Sequence, residues 1–138
     1  EVDTQTDIAK VVTPKTLSDT YEVIHNSGTE RLTKKIVSIG DWDMDSSPTT
    51  TIAHGLSDFT KIKAVEVMII NDAGNAIYPL NLYNSTSGTD DISGGVKSID
   101  ATDIVLSRRA GVGSFFGTND FDATSYNRGF ITFTIQTN

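Results

Sequence analysis

The sequence contains no cysteine, which removes disulfides, thiolate nucleophiles and thiolate metal sites together. A chain without disulfide staples suits a reducing bacterial cytoplasm better than a eukaryotic secretory route. Proline is scarce at three residues, and no apolar run approaches the roughly 18 residues of a membrane-spanning helix. Membrane insertion is therefore not expected. Positive charge is also scarce: 11 Lys and Arg face 18 Asp and Glu, giving a net charge of −7. A nucleic-acid surface needs clustered cations, so no nucleic-acid partner is expected. No signal peptide is visible, and Glu1 as first residue points to a fragment whose natural start lies upstream.

The length of 138 residues fits one domain with an appendage. Hydrophobic residues make up only 37%, yet they gather in short runs rather than being diluted as in a disordered chain. Such a chain buries a modest core, and further stability could come from burial between subunits.

Residues 1–33 read as a linker followed by a short stalk helix, the trimerisation element. Thr13 is a fit N-cap and Pro14 a fit first helical residue. Leu17, Tyr21 and Ile24 then recur at i, i+4 and i+7, and Asn26-Ser27-Gly28 supplies a stop. A helix over residues 14–25 would span roughly 18 Å and be marginal alone, so its apolar stripe needs a partner. That partner is either the β domain or two copies of the same helix around a threefold axis.

From Lys34 the period changes to two, and residues 34–138 read as a β-sandwich. Strands are expected at 34–39, 49–54, 62–70, 77–83, 96–99, 103–108 and 130–136. In the strongest, Val65, Val67 and Ile69 line one face, and Ile62, Ala64, Glu66, Met68 and Ile70 the other. Two largely apolar faces predict a central strand or one covered by a neighbouring subunit. Asn71-Asp72-Ala73-Gly74-Asn75 is a turn. Tyr78, Leu80 and Leu82 then alternate inward, and Pro79 demotes that strand to an edge. Val96–Ile99 and Asp103–Arg108 make a hairpin about Asp100-Ala101-Thr102. Ile131, Phe133 and Ile135 share one face of the last strand. The expected fold is mainly β: an antiparallel sandwich of six or seven strands after a short N-terminal helix, assembled as a trimer.

Few residues carry chemistry. Asp41, Asp43 and Asp45 alternate, but the sixth and twelfth positions of a calcium loop are here Ser46 and Ile52, so a turn bonding its own backbone is expected and no metal. Gly111, Gly113 and Gly117 lack phosphate-loop spacing. His54 before Gly55 reads as a strand-end residue bonding backbone. No nucleophile elbow is present, and neither catalysis nor a cofactor is expected. What remains is a set suited to sugars, which stack on aromatic faces while Asn, Asp and Arg fix hydroxyls. Tyr83, Tyr126, Asn127 and Arg128 are the candidate ligand-binding residues. Phe115, Phe116 and Phe121 read better as plugs for the end of the sandwich.

The tract Asp3-Thr4-Gln5-Thr6-Asp7-Ile8-Ala9-Lys10-Val11-Val12-Thr13-Pro14-Lys15-Thr16-Leu17 resembles a segment of bacteriophage tail-fibre proteins that often precedes the last domain. Ile39–Asp45, Ala53–Leu56 and Thr124–Gly129 also look like a phage fibre C-terminal domain, of tail or head. The layout is similar to the H-type lectins, trimeric sandwiches that bind sugars, although none of their sugar-binding residues can be matched. The resemblance implies a virion location, a homotrimer joined to the rest of a fibre upstream, and receptor binding to a bacterial surface glycan or outer-surface protein. The alternative is a fibre-capping or capsid-decoration domain without receptor binding.

Overall fold

The computed structural model describes residues 21–25, 28–84, 91–111 and 113–137. Alternation of apolar and polar residues sets its architecture. The strands are β1 (Tyr21–His25), β2 (Gly28–Ser38), β3 (Thr49–Ala53), β4 (Ile62–Ile70), β5 (Ile77–Pro79), β6 (Tyr83–Asn84), β7 (Asp91–Ile92), β8 (Gly94–Ile99), β9 (Asp103–Arg108) and β10 (Gly129–Gln136). They form a five-stranded sheet ordered β1-β2-β10-β4-β5, a three-stranded sheet β3-β9-β8 and a small ribbon β6-β7. Every pairing is antiparallel.

Register decides which residues meet. Ile131 pairs with Val37 on one side and Val67 on the other, and Phe133 with Lys35 and Val65. Their common face turns inward, where Val67, Ile69, Ile131 and Phe133 join Ile52, Ile104 and Leu106 of the smaller sheet in one hydrophobic cluster. Two sheets thus share a single core. Trp42, Met44, Leu80, Phe116 and Phe121 close it from the loops. Full burial of each large apolar side chain contributes about 1.5–3 kcal/mol.

The expected helix over residues 14–25 is corrected where it can be seen. Tyr21–His25 is a strand, paired with β2 from Tyr21↔Leu32 to His25↔Gly28; residues 14–20 lie outside the described ones. The i, i+4, i+7 spacing spans barely two turns, so ladder hydrogen bonds to β2 outweigh it. Strand β2 also runs through residue 33, so the expected boundary between stalk and domain falls inside one strand. Pro79 sits at the sheet edge as expected, but β5 ends there and the chain resumes pairing only at β6.

Turns follow their chemistry. Asn71 Oδ1 accepts from the N–H groups of Asn75 and Ala76, and Gly74 holds φ 66° there. Asp100 Oδ1 accepts from the N–H groups of Thr102 and Asp103, closing the β8–β9 hairpin. Gly129 has φ 148°, and a Cβ there would lie 2.0 Å from the Met68 carbonyl oxygen, so only glycine lets β10 start beside β4.

Candidate functional site

Strand β5 covers only Met68–Ile70 of β4, so residues 62–67 have no strand beside them on that side among the described residues. Beyond it Leu80 and Asn81 turn away, and β8, the edge strand of the other sheet, stands opposite. The gap is a surface cleft of about 390 Å³. Val65, Val67, Leu80 and Val96 supply apolar wall, while Met68 and Phe130 come from the outer face of the five-stranded sheet. Glu66, Asn81 and Thr132 supply polar groups, and Glu66 is the charged one among the lining residues. Glu66 is exposed, with no ion pair among the described residues.

Backbone groups also face this cleft. In an antiparallel strand the N–H and C=O of one residue point to the same side, and the side alternates along the chain. The Ile70 N–H donates to the Arg128 carbonyl, towards β10, and the Leu80 N–H donates to the Val67 carbonyl at 3.0 Å, on the β5 side. Counting back, Val65 directs both its N–H and its C=O, and Val67 its N–H, to the side where β5 has ended. No backbone partner meets them among the described residues. Gly94 lets β8 lie close against Leu80, a wall residue of the cleft: a Cβ there would lie 2.8 Å from Leu80 Cδ1 and 2.6 Å from the Ser107 carbonyl oxygen.

The four candidate residues read from the sequence do not form this cleft. Tyr83 is exposed on β6, paired with Ile92 of β7. Tyr126 is half-buried; its hydroxyl donates to the Asn71 carbonyl at 3.0 Å and its ring lies 5.3 Å from the Arg128 guanidinium. Asn127 is exposed, and its Oδ1 accepts from the Gly40 N–H. Arg128 is fully buried. Its Nε donates to the Trp42 carbonyl, Nη1 to the Ile70 carbonyl and to Asp72 Oδ1 at 2.6 Å, and Nη2 to the Ala123 carbonyl. It fastens three segments together, those of Trp42, of Ile70 with Asp72, and of Ala123, and its burial does not fit the sugar-hydroxyl role expected for it. A second buried arginine, Arg108, donates to the carbonyls of Met44, Asp45 and Arg109. The two arginines hold the Trp42–Asp45 loop from both sides.

The carboxylates around this buttress titrate unequally. Burial opposes the charge on Asp72, but its bond to Arg128 and the Ala123 and Asp122 N–H groups outweigh that and hold its pKa below the ordinary value. Asp122 is pushed up, by burial first and then by the hydrogen bond and charge of Asp72. Asp43 is lowered, chiefly by the Ser46 N–H; its Oδ1 also accepts from Asp45, so the acidic turn bonds its own backbone as expected. His54 is likewise a strand-end residue: Nδ1 accepts from the Leu56 N–H and Nε2 therefore donates to the Asp100 carbonyl, both at 3.0 Å. Phe116 and Phe121 are buried and pack edge-to-face with Tyr78 and Phe115, so the phenylalanines do plug the end of the core.

Sequence reasoning missed the cleft. Its signal lay in Pro79, which stops β5 and so uncovers the lower half of β4. Comparison of the chain with models of protein families, with curated proteins and with solved structures finds no match.

Proposed function

We propose that this chain is the C-terminal host-attachment domain of a bacteriophage fibre, a trimeric β-sandwich on the virion whose cleft engages a component of the bacterial surface. The observation that carries this reading is the cleft itself. It is preformed and joins an apolar wall to Glu66, Asn81 and Thr132, with Phe130 beside them. Its volume accommodates a sugar residue or a short segment of polypeptide. Binding rather than catalysis fits the composition of the wall, whose single ionisable group is Glu66, and His54, outside the cleft lining, is committed to backbone through both ring nitrogens. Repetition of one weak site in a trimer, and of trimers on a virion, converts modest affinity into firm attachment.

The fibre-capping reading has its own support. Ile36 and Ile77 are 68% and 47% exposed on the outer face of the larger sheet, as expected of a surface that packs on other subunits. Binding of the purified domain to immobilised glycans and to a panel of bacterial cells separates the two. Attachment predicts saturable binding that falls roughly tenfold in Asn81→Ala, as expected for losing a hydrogen bond to an amide group, and about two- to fivefold in Glu66→Gln. Binding to none of these surfaces leaves the capping domain as the reading.

A further inference from the structure

Resting on the attachment reading, the geometry points to an extended polypeptide as the occupant of the cleft, added as a new strand along β4. A strand edge with unsatisfied N–H and C=O groups at strand spacing is matched best by another backbone in the same conformation. Val65 offers both groups and Val67 its N–H, while the Val67 carbonyl is already taken by Leu80, which fixes where the added strand must stop. The open stretch of residues 62–67 spans about 20 Å at strand rise. It therefore takes a segment of about six residues, and a sugar has no comparable ladder of donors and acceptors.

The side chains of the edge set the pattern of the guest. Residues opposite Val65 and Val67 point inward, towards Leu80 and Val96, and have to be apolar. The residue between them lies opposite Glu66 on the outer face. Glu66 has no ion pair among the described residues and favours a cation there. The guest is thus an apolar–basic–apolar strand of a surface-exposed protein. Of the edge strands of a second copy, β3, Thr49–Ala53, carries no cation, whereas β8 sets Lys97 beside Val96, so a second copy is the rival occupant that the test has to separate from a foreign strand.

The test uses the full chain and the capped synthetic peptide Thr-Val-Lys-Val-Thr. Amide hydrogen exchange is read at Val65 and Val67, with Glu66 and Met68, which point to β10, as internal controls. Saturating peptide should slow exchange at Val65 and Val67 and leave the controls unchanged. Val65→Pro removes an N–H that the β10 ladder does not use, so the fold should persist while peptide binding falls by more than tenfold. Glu66→Gln should weaken the lysine peptide about two- to fivefold, as an exposed ion pair does, and leave a Thr-Val-Gln-Val-Thr peptide unaffected. Should Val65→Pro fail to fold, exchange on the unaltered chain decides alone. Unchanged exchange at Val65 under saturating peptide overturns the inference, as does protection already present without peptide that grows with protein concentration, the mark of a second copy. Cell binding that depends on Asn81 without peptide protection of Val65 would sink strand addition yet leave attachment standing. Peptide protection in a domain that binds no cells would do the reverse.

Discussion

Arg128 shows how one side chain can organise a loop end. Its guanidinium is buried, yet it meets three carbonyls and one carboxylate, so its desolvation is offset by directed bonds. Replacing it by Met would leave those acceptors and Asp72 without their donor. Arg128→Met is expected to cost about 3 kcal/mol, read as a lower midpoint in urea denaturation. Arg128→Lys should recover little of that, since an ammonium cannot reproduce the fork. The same pair governs acid stability. Asp72 has a folded pKa below its unfolded value, so its contribution is full above about pH 4 and is lost as pH falls through the folded pKa. Asp122 is raised and acts oppositely: its ionisation, as pH rises through the unfolded and then the folded pKa, opposes folding. Melting temperature should therefore drop more steeply below pH 4 in the unaltered chain than in Asp72→Asn; parallel curves would mean the ion pair contributes nothing. None of this was legible in the sequence. An arginine flanked by Asn127 and Gly129 reads as a surface loop residue, because nothing local reports that carbonyls distant in sequence converge on it.

Elements fared according to how much of their information is local. Strands β4 and β9 were legible to the residue and β10 to one residue, because an alternating run ended by turn residues needs no knowledge of its neighbours. β1 was misread as helix, since Leu17, Tyr21 and Ile24 satisfy a helical spacing and the competing ladder lies across a hairpin. The cleft escaped for a related reason: a gap beside β4 belongs to the pairing of strands, and no single strand encodes it. Phe133 lies at the centre of what was legible, fully buried between Lys35 and Val65 in the ladder and 6.0 Å from the His54 ring. Phe133→Ala should destabilise the domain by about 3–5 kcal/mol, because the cavity adds to the lost transfer free energy. A urea midpoint shift equivalent to less than about 1 kcal/mol would show that the sheets collapse around the gap. The Asp41–Asp45 turn is expected to behave differently. Its carboxylate already bonds its own backbone, so EDTA should leave the melting temperature unmoved, and a fall of about 5 °C would reveal a bound ion.

At the scale of the whole molecule, the outer face of the larger sheet is where the proposed trimer would pack. Ile36 pairs with Thr132 and thence with Glu66, while Phe130 pairs with Met68, so side chains of both polarities share this face. Ile36 is 68% exposed, and Ile77, opposite Ile70, is 47% exposed. Leaving such residues in water forgoes roughly 25 cal/mol for each Å² that a neighbour would cover. A trimer that packs the Ile36 side of this face, on β2, around its axis and leaves the Glu66 edge of β4 free recovers that term, and the modest core of the single chain makes the contribution worth having. Light scattering of the purified chain should then give three times the mass of 14.9 kDa at micromolar concentration. Ile36→Asp is the discriminating variant, because residue 36 contributes to no intramolecular core and its change should spare the monomer fold. Its expected signature is a monomeric mass, an unchanged circular dichroism spectrum and a melting temperature that no longer rises with protein concentration. A trimer that survives Ile36→Asp places the subunit contact elsewhere. A clean monomer of the unaltered chain removes trimerisation through this face altogether, and with it the multivalency on which attachment by a weak cleft depends.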